Sequence, residues 1–315
     1  MRTLILGGTG FIGASLAARL VAQGHEVVVP SRRPEKVAAV LGAVAPGAVG
    51  VSFDGKTGKG WAHLLGPGTA LVNLAGENIA DGRWTEDKKH SILTSRLNAG
   101  AAVMDALRLA KEAGAGMPAV LIQASAVGYY GPRGPEPVNE DEPCGTGFLA
   151  EVAKRWEDST SGAEALGVRR AVIRTSMVLG QGGALSKMLP PFRLGLGGPL
   201  GSGKQMVPWI HLADEVGAIV HLLTQPECSG AFNLVAPEVV DSRGFARALG
   251  HALGRPAFLP APGLALRLLL GQMAQEVLLS GVRAVPSRLL ASGYTFRFPG
   301  LAQALTEILG TEVRP

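Results

Sequence analysis

Three glycines within the first thirteen residues constrain this chain more than any other feature of it. Gly7, Gly10 and Gly13 stand at G-x-x-G-x-x-G spacing. Before them, residues 3–6 read as a short, fully buried strand. After them Phe11, Ile12, Leu16, Leu20 and Val21 recur with a helical period. A second apolar run, residues 26–29, ends in Ser31-Arg32-Arg33. The order is strand, glycine turn, helix, strand.

Each glycine meets a steric demand. Gly7 permits the tight turn out of the strand, Gly10 lets a pyrophosphate approach the backbone, and Gly13 lets the helix pack close on the sheet. The N–H groups that open the helix face the phosphates with the positive end of its dipole. A dinucleotide site is the reading; the alternative is a glycine turn without a ligand. NAD-selective sites carry Asp or Glu at the tip of the second strand to hold the ribose 2′-hydroxyl. Here the nearest acids are Glu26, inside the strand, and Glu35, beyond Pro34. Guanidinium groups pair bidentately with a 2′-phosphate. The expected cofactor is therefore NADP(H), held by Arg32 ahead of Arg33, the alternative being that both arginines are merely solvated.

The alternation continues. Residues 49–53 predict a third strand ending at Asp54, which either bonds an adenine amino group or caps the turn before Gly55. Residues 69–74 predict a fourth, running into Asn73-Leu74-Ala75-Gly76-Glu77. Residues 84–112 are helical, with Arg96 beside the apolar face, where it must find an anion or reach water. Residues 119–125 and 169–174 predict strands on either side of a helix over 146–166. The fold expected is α/β, a doubly wound parallel sheet of Rossmann type. Residues 181–208 read as a loop-rich insertion, 211–223 as a helix and 231–235 as a strand. Beyond residue 241 the pattern is helical. The division expected is a cofactor domain, 1–180 with 209–240, and a smaller, mostly helical substrate lobe, 181–208 with 241–315.

Composition narrows the classes. The net charge of +5 is not concentrated in any run of five basic residues, and aromatics are only 5%, so nucleic acid is not an expected partner. Cys144 and Cys228 lack C-x-x-C spacing, which suggests a reducing compartment. The first strand begins too early for a signal peptide. The longest apolar stretch, 262–281, is interrupted by Arg267, Gln272, Gln275 and Glu276, and reads as buried helices instead of a membrane span. A cytoplasmic, soluble protein with no membrane partner is expected, monomer or homodimer. The histidines do not cluster with cysteines, so no metal is proposed. Residues 198–204 imitate a phosphate loop, but Gln205 replaces the magnesium-holding hydroxyl and Pro208 would stop the helix.

GGTGFIG, the Asn73–Gly76 turn and Ser-Ala-Val-Gly-Tyr-Tyr-Gly (125–131) together resemble extended short-chain dehydrogenase/reductases. NLAGENIADGRW (73–84), SRL (95–97), RTSMVLGQGG (174–183), residues 191–211 and residues 282–299 are similar to an atypical, epimerase-like branch with a small C-terminal domain of unknown function, placed at about 262–310. The resemblance implies NADP(H), contacted by Gly7, Gly10, Phe11, Ile12 and Gly13, with Ser31 and Arg32 on the 2′-phosphate. It places Leu74, Ala75 and Arg96 on the cofactor wall and Val178 beside the nicotinamide. It implies an oxidoreductase or epimerase-like activity on a small carbonyl or hydroxyl compound, a nucleotide sugar being one candidate. The family's catalytic set is a Ser and a Tyr-x-x-x-Lys. Ser125 fits the serine. The helix offers Phe148 with Val152, or Leu149 with Ala153, and Lys154 is rotated away by about 100 to 200 degrees. Tyr130 or a bound water then supplies the proton while Ser125 holds the oxygen, or His211 is the acid instead; the alternatives are Tyr130 as a stacking wall and His211 as a capping-region residue. Without the usual pair, a non-catalytic NADPH-binding regulator, for example of cell division, is the competing reading.

Overall fold

The structure is a computed structural model that describes residues 1–310. Its centre is a seven-stranded parallel sheet in the order β10-β7-β5-β4-β1-β2-β3. β1 (Arg2–Leu6), β2 (Glu26–Ser31) and β3 (Val49–Ser52) form one side; β4 (Thr69–Asn73), β5 (Val120–Ala126), β7 (Arg169–Thr175) and β10 (Gly230–Leu234) form the other. Every ladder is parallel. The strand order reverses between β1 and β4, which opens a crevice at their carboxyl ends.

Alternate residues of each strand feed opposite cores, as the period of two requires. Ile5 joins Leu16 and Leu20 of α1 (Phe11–Ala22) and Ile219 and Leu222 of α6 (Leu212–Thr224). Leu4 and Leu6 join Val103 and Leu107 of α3 (Glu86–Glu112) on the other face. The expected helix over 146–166 is α4 (Phe148–Asp158) followed by a 3-10 segment, Ser161–Leu166.

Two expectations are corrected. Residues 181–208 are not simply loop: α5 (Gly183–Arg193) lies within them, between β8 (Met177–Gly180) and β9 (Trp209–His211), which pair in parallel. Leu185, Met188, Leu189 and Phe192 have the helical spacing, and all four enter the lobe's core. The surrounding glycines and prolines hide that period. Second, the apolar stretch 262–281 is not buried throughout. α8 (Gly263–Leu270) has no buried residue, and Leu264, Leu268 and Leu269 are each about 70% exposed. The sequence GLALRLLL is apolar on all sides, so hydropathy cannot say whether anything covers it.

The C-terminal part contains α7 (Ser242–Ala252), α9 (Ser287–Ala291), whose Leu289 joins the sheet's core, and α10 (Leu301–Leu309). β11 (Arg283–Ala284) pairs with β6 (Pro137–Val138). Asp214 on α6 fixes this region: its carboxylate accepts from the Arg297 and Phe298 N–H at 2.7 and 2.8 Å and from the Tyr294 hydroxyl at 3.0 Å.

Candidate active site

At the crevice, the backbone leaves room for nothing larger than glycine. Gly7 has φ +80°, and a Cβ on it would sit 2.9 Å from the Leu74 carbonyl carbon and 3.0 Å from the Ala75 nitrogen. A Cβ on Gly13 would lie 2.2 Å from the Gly7 oxygen. The turn and the first turn of α1 are thus interlocked, as the spacing demands. Gly10 is the N-cap of α1, with no side-chain cap and no acidic residue in the first turn. The N–H groups there have no intrahelical acceptors, which leaves a positive end facing the crevice. Phe11 packs on the glycine turn after β8: a Cβ on Gly180 would come within 2.9 Å of its ring. Ile12 and Leu74 pack against the core that holds Val178.

At the far end of the crevice Ser31 closes β2, and its Oγ accepts from the Arg33 N–H at 3.1 Å. Arg32 and Arg33 are exposed, and none of the ion pairs among the described residues uses either. Asp54 is a turn cap: its oxygens accept from the Thr57 hydroxyl at 2.6 Å and the Lys56 and Thr57 N–H at 2.7 Å. The Thr57 hydroxyl, then those amides, hold its carboxyl below the usual range. Oδ1 is filled by the two amides, and Oδ2, with one bond, keeps a lone pair on an exposed side chain.

Arg96 lies under the turn after β4. Its Nη1 donates to the Glu77 and Ile92 carbonyls at 3.0 and 2.9 Å, and its guanidinium stacks on Trp156 at 4.7 Å. Burial pulls its pKa down to about 10, against the opposing charge of Glu77, so it remains a cation at neutral pH. A cation bonded to carbonyls alone is suited to a phosphate or carboxylate that arrives from the crevice.

Ser125, near the end of β5, is 3% exposed, and its hydroxyl donates to Glu157 Oε1 at 2.7 Å. Glu157, on α4, is gripped by Arg174 through Nε at 2.9 Å and Nη2 at 3.1 Å. Burial opposes the Arg174 charge, but Glu157 outweighs it and raises the pKa. Arg174 Nη1 also donates to the Tyr130 hydroxyl at 2.9 Å, and that hydroxyl donates to Asn233 Oδ1 at 2.7 Å. Tyr130 is fully buried, and burial raises its pKa. With both hydroxyl contacts internal, Tyr130 does not present a proton to the crevice. Tyr129 lies flat under Arg174 at 3.6 Å.

The first turns of α4 explain why no tyrosine–lysine pair stands there. Phe148 and Val152 belong to an apolar cluster with Trp84, Ile92 and Met273, and Phe148 meets Trp84 edge-on at 5.2 Å. Ala153 is also buried. Lys154 points outward to Asp158 at 2.7 Å. The helix start is capped from the lobe: Glu276 accepts from the Phe148 and Leu149 N–H at 3.2 and 2.8 Å.

His211 is not brought to Ser125. Its Nδ1 accepts from the Ala213 N–H and its Nε2 meets Glu307, both at 3.0 Å, with the ring on Phe298. It caps α6 and lines a separate groove with Arg19 and Arg297. Burial lowers its pKa, so the neutral, Nε2-protonated form is held. The capping alternative describes it, and the proton-donor reading of His211 and of Tyr130 finds no geometry here.

Residue reading missed three groups. Glu157 and Arg174 sit in otherwise ordinary helix and strand patterns. Glu215, on α6, is fully buried: Oε1 accepts from Thr175 Oγ1 at 2.7 Å, and Oε2 has no partner. Burial pushes its pKa up to about 8. Among the described residues no group of three His, Cys, Asp or Glu could hold a metal, and no helix is long and apolar enough to cross a membrane.

Residues 3–234 match the NAD dependent epimerase/dehydratase family, and residues 261–308 match a domain of unknown function, DUF1731. A human relative named epimerase family protein SDR39U1 is 38% identical over 313 residues, covering 98% of this chain and all of the relative. The crystal structure of its isoform 2 with NADPH superposes with a TM-score of 0.84, covering 98% of this chain and 99% of that one. A nucleoside-diphosphate sugar epimerase from Corynebacterium glutamicum is 30% identical with a TM-score of 0.75, covering 99% of this chain and 59% of that one. An Arabidopsis thaliana homologue, 37% identical over 98% of this chain and 87% of its own length, is named as chloroplastic.

Proposed function

This chain belongs to the NAD dependent epimerase/dehydratase family, and from that premise we propose that it binds NADP(H) and passes hydride between the nicotinamide and a small carbonyl or hydroxyl compound. The interlocked Gly7–Gly13 turn carries the reading, because it fits a pyrophosphate and excludes any side chain. Arg32 selects the 2′-phosphate, and the human relative crystallised with NADPH supports that choice. Arg96 holds a second anionic group. Bound there, the cofactor supplies the hydride.

Hydride reaching a carbonyl carbon leaves an alkoxide that takes its proton from a bound water, and a hydroxyl being oxidised gives its proton to one. The chain's own part is to place the substrate oxygen. When substrate binds, the Ser125 hydroxyl turns its single proton from Glu157 Oε1 to that oxygen, and Arg174 keeps the Glu157 carboxylate in place as the resting acceptor. A nucleotide sugar is one substrate class to test, on the printed name of the Corynebacterium relative. The same reading keeps a cofactor domain of 1–180 with 209–240, a substrate lobe of 181–208 with 241–315, a monomer or homodimer, and a cytoplasmic location.

A specific observation favours a second reading. The places a Tyr-x-x-x-Lys pair would take are walls of an apolar cluster, as a protein that binds NADPH without turning it over could tolerate. NADPH oxidation against a panel of carbonyl compounds and nucleotide sugars separates the two. Turnover that Ser125→Ala lowers at least about tenfold, with NADPH affinity unchanged, supports hydride transfer. Tight NADPH binding with no turnover of any compound supports the regulator.

A further inference from the structure

We propose that the lobe docks through α8 onto an anionic lipid surface. Leu264, Leu268 and Leu269 of α8, with Phe258, Leu194 and Leu196, are 60 to 75% exposed. They come from two segments that lie side by side. Leu200 pairs with Ala261, the Leu259 N–H donates to the Gly197 carbonyl at 3.3 Å, and Gly195 approaches Pro256. Six large apolar side chains left in water on two adjoining segments point to a partner.

The charge of the same two segments says which partner. Residues 183–207 and 242–275 contain seven lysines and arginines, all exposed, and no aspartate or glutamate; Lys187 pairs with Asp81 at 2.8 Å, and the other six are in none of the ion pairs among the described residues. The whole chain carries only +5, so the remainder of the molecule is net acidic. Arg193, Arg255 and Arg267 are interleaved with the exposed leucines and the phenylalanine. Leucine and phenylalanine beside unpaired cations is the chemistry of a helix lying in a bilayer interface, the apolar groups among the acyl chains and the cations at the headgroups. A second copy would set the same positive surfaces against each other. Nucleic acid would leave the leucines in water, and the patch offers one aromatic ring for stacking. The docking does not require a membrane span, and it departs from the expectation of no membrane partner.

Flotation of the full chain with vesicles of phosphatidylcholine alone, or with about 30 mol % phosphatidylserine, tests this. Binding is expected to the anionic vesicles only and to fall as salt is raised. Leu268→Asp/Leu269→Asp and, separately, Arg255→Glu/Arg267→Glu are each expected to weaken it at least about tenfold. An unchanged melting temperature and NADPH affinity would show that the variants fold. No binding to anionic vesicles, or binding that both variants leave intact, overturns the proposal. So does a dimer in light scattering that Leu268→Asp/Leu269→Asp dissociates, since the patch would then be a contact between copies. NADPH binding is read separately, so loss of the cofactor reading and loss of this one are distinguishable.

Discussion

On the proposed reading, a single guanidinium decides which coenzyme the crevice prefers. Arg32 is exposed at the end of β2, without an ion-pair partner among the described residues. A charge-assisted bond of this kind contributes roughly 1.5 to 3 kcal/mol. Arg32→Ala is therefore expected to weaken NADPH binding by about ten- to a hundredfold and leave NADH almost unaffected, as read by fluorescence titration. Glu215 gives a pH signature. Its folded-state pKa, about 8 against an ordinary 4.5, means the folded protein holds a proton that the unfolded chain releases. Stability is fully present below about pH 4.5 and declines at up to roughly 1.4 kcal/mol per pH unit until about pH 8. Glu215→Gln removes that slope. Melting curves are expected to show the variant gaining on the parent between pH 5 and 8, and equal slopes would refute the assignment. The glycine turn was legible because a spacing is a property of sequence. The fate of Asp54, Tyr130 and His211 was not, because each depends on which hydrogen-bond partner lies nearby in space.

At the scale of elements, α4 is held by a residue 127 or 128 positions away. Two of its first-turn N–H groups end on Glu276. Losing such a cap costs about 1 to 2 kcal/mol, so Glu276→Ala is expected to lower stability by that amount in chemical denaturation. Amide exchange at Phe148 and Leu149 should rise with it. Exchange that stays protected would place the helix's anchorage elsewhere. The sheet strands were legible as short apolar runs between turn residues, and helix α3 by its period. Helix α5 was not, since Gly182, Gly183, Pro190 and Pro191 obscure the spacing of Leu185, Met188, Leu189 and Phe192. Helix α8 was read as helix but placed inside, because a uniformly apolar eight-residue segment carries no signal for its facing.

Across the whole molecule, the region after residue 286 is bound to the sheet domain by carboxylates. Asp214 takes three donors from Tyr294, Arg297 and Phe298, and Glu140 accepts from the Asn233 and Arg288 N–H at 3.0 and 3.2 Å. Asp214→Ala leaves the buried Phe298 amide without an acceptor, at about 1 to 3 kcal/mol, and the part-buried Arg297 amide as well. It is expected to lower the melting temperature by several degrees. Limited proteolysis should cut first between residues 287 and 300; cleavage elsewhere first would refute the anchoring role.

The pairing of β6 with β11 joins residues 137–138 to 283–284. As a nascent chain leaves the ribosome, its central sheet can assemble once residue 234 has emerged. Until residues 283–298 follow, however, Asp214 waits for its donors, Glu140 for the Arg288 N–H and the small ladder for its second strand. Synthesis of that segment is thus the step that seals the molecule, and a message stalled before it would release a sheet with polar anchors still open.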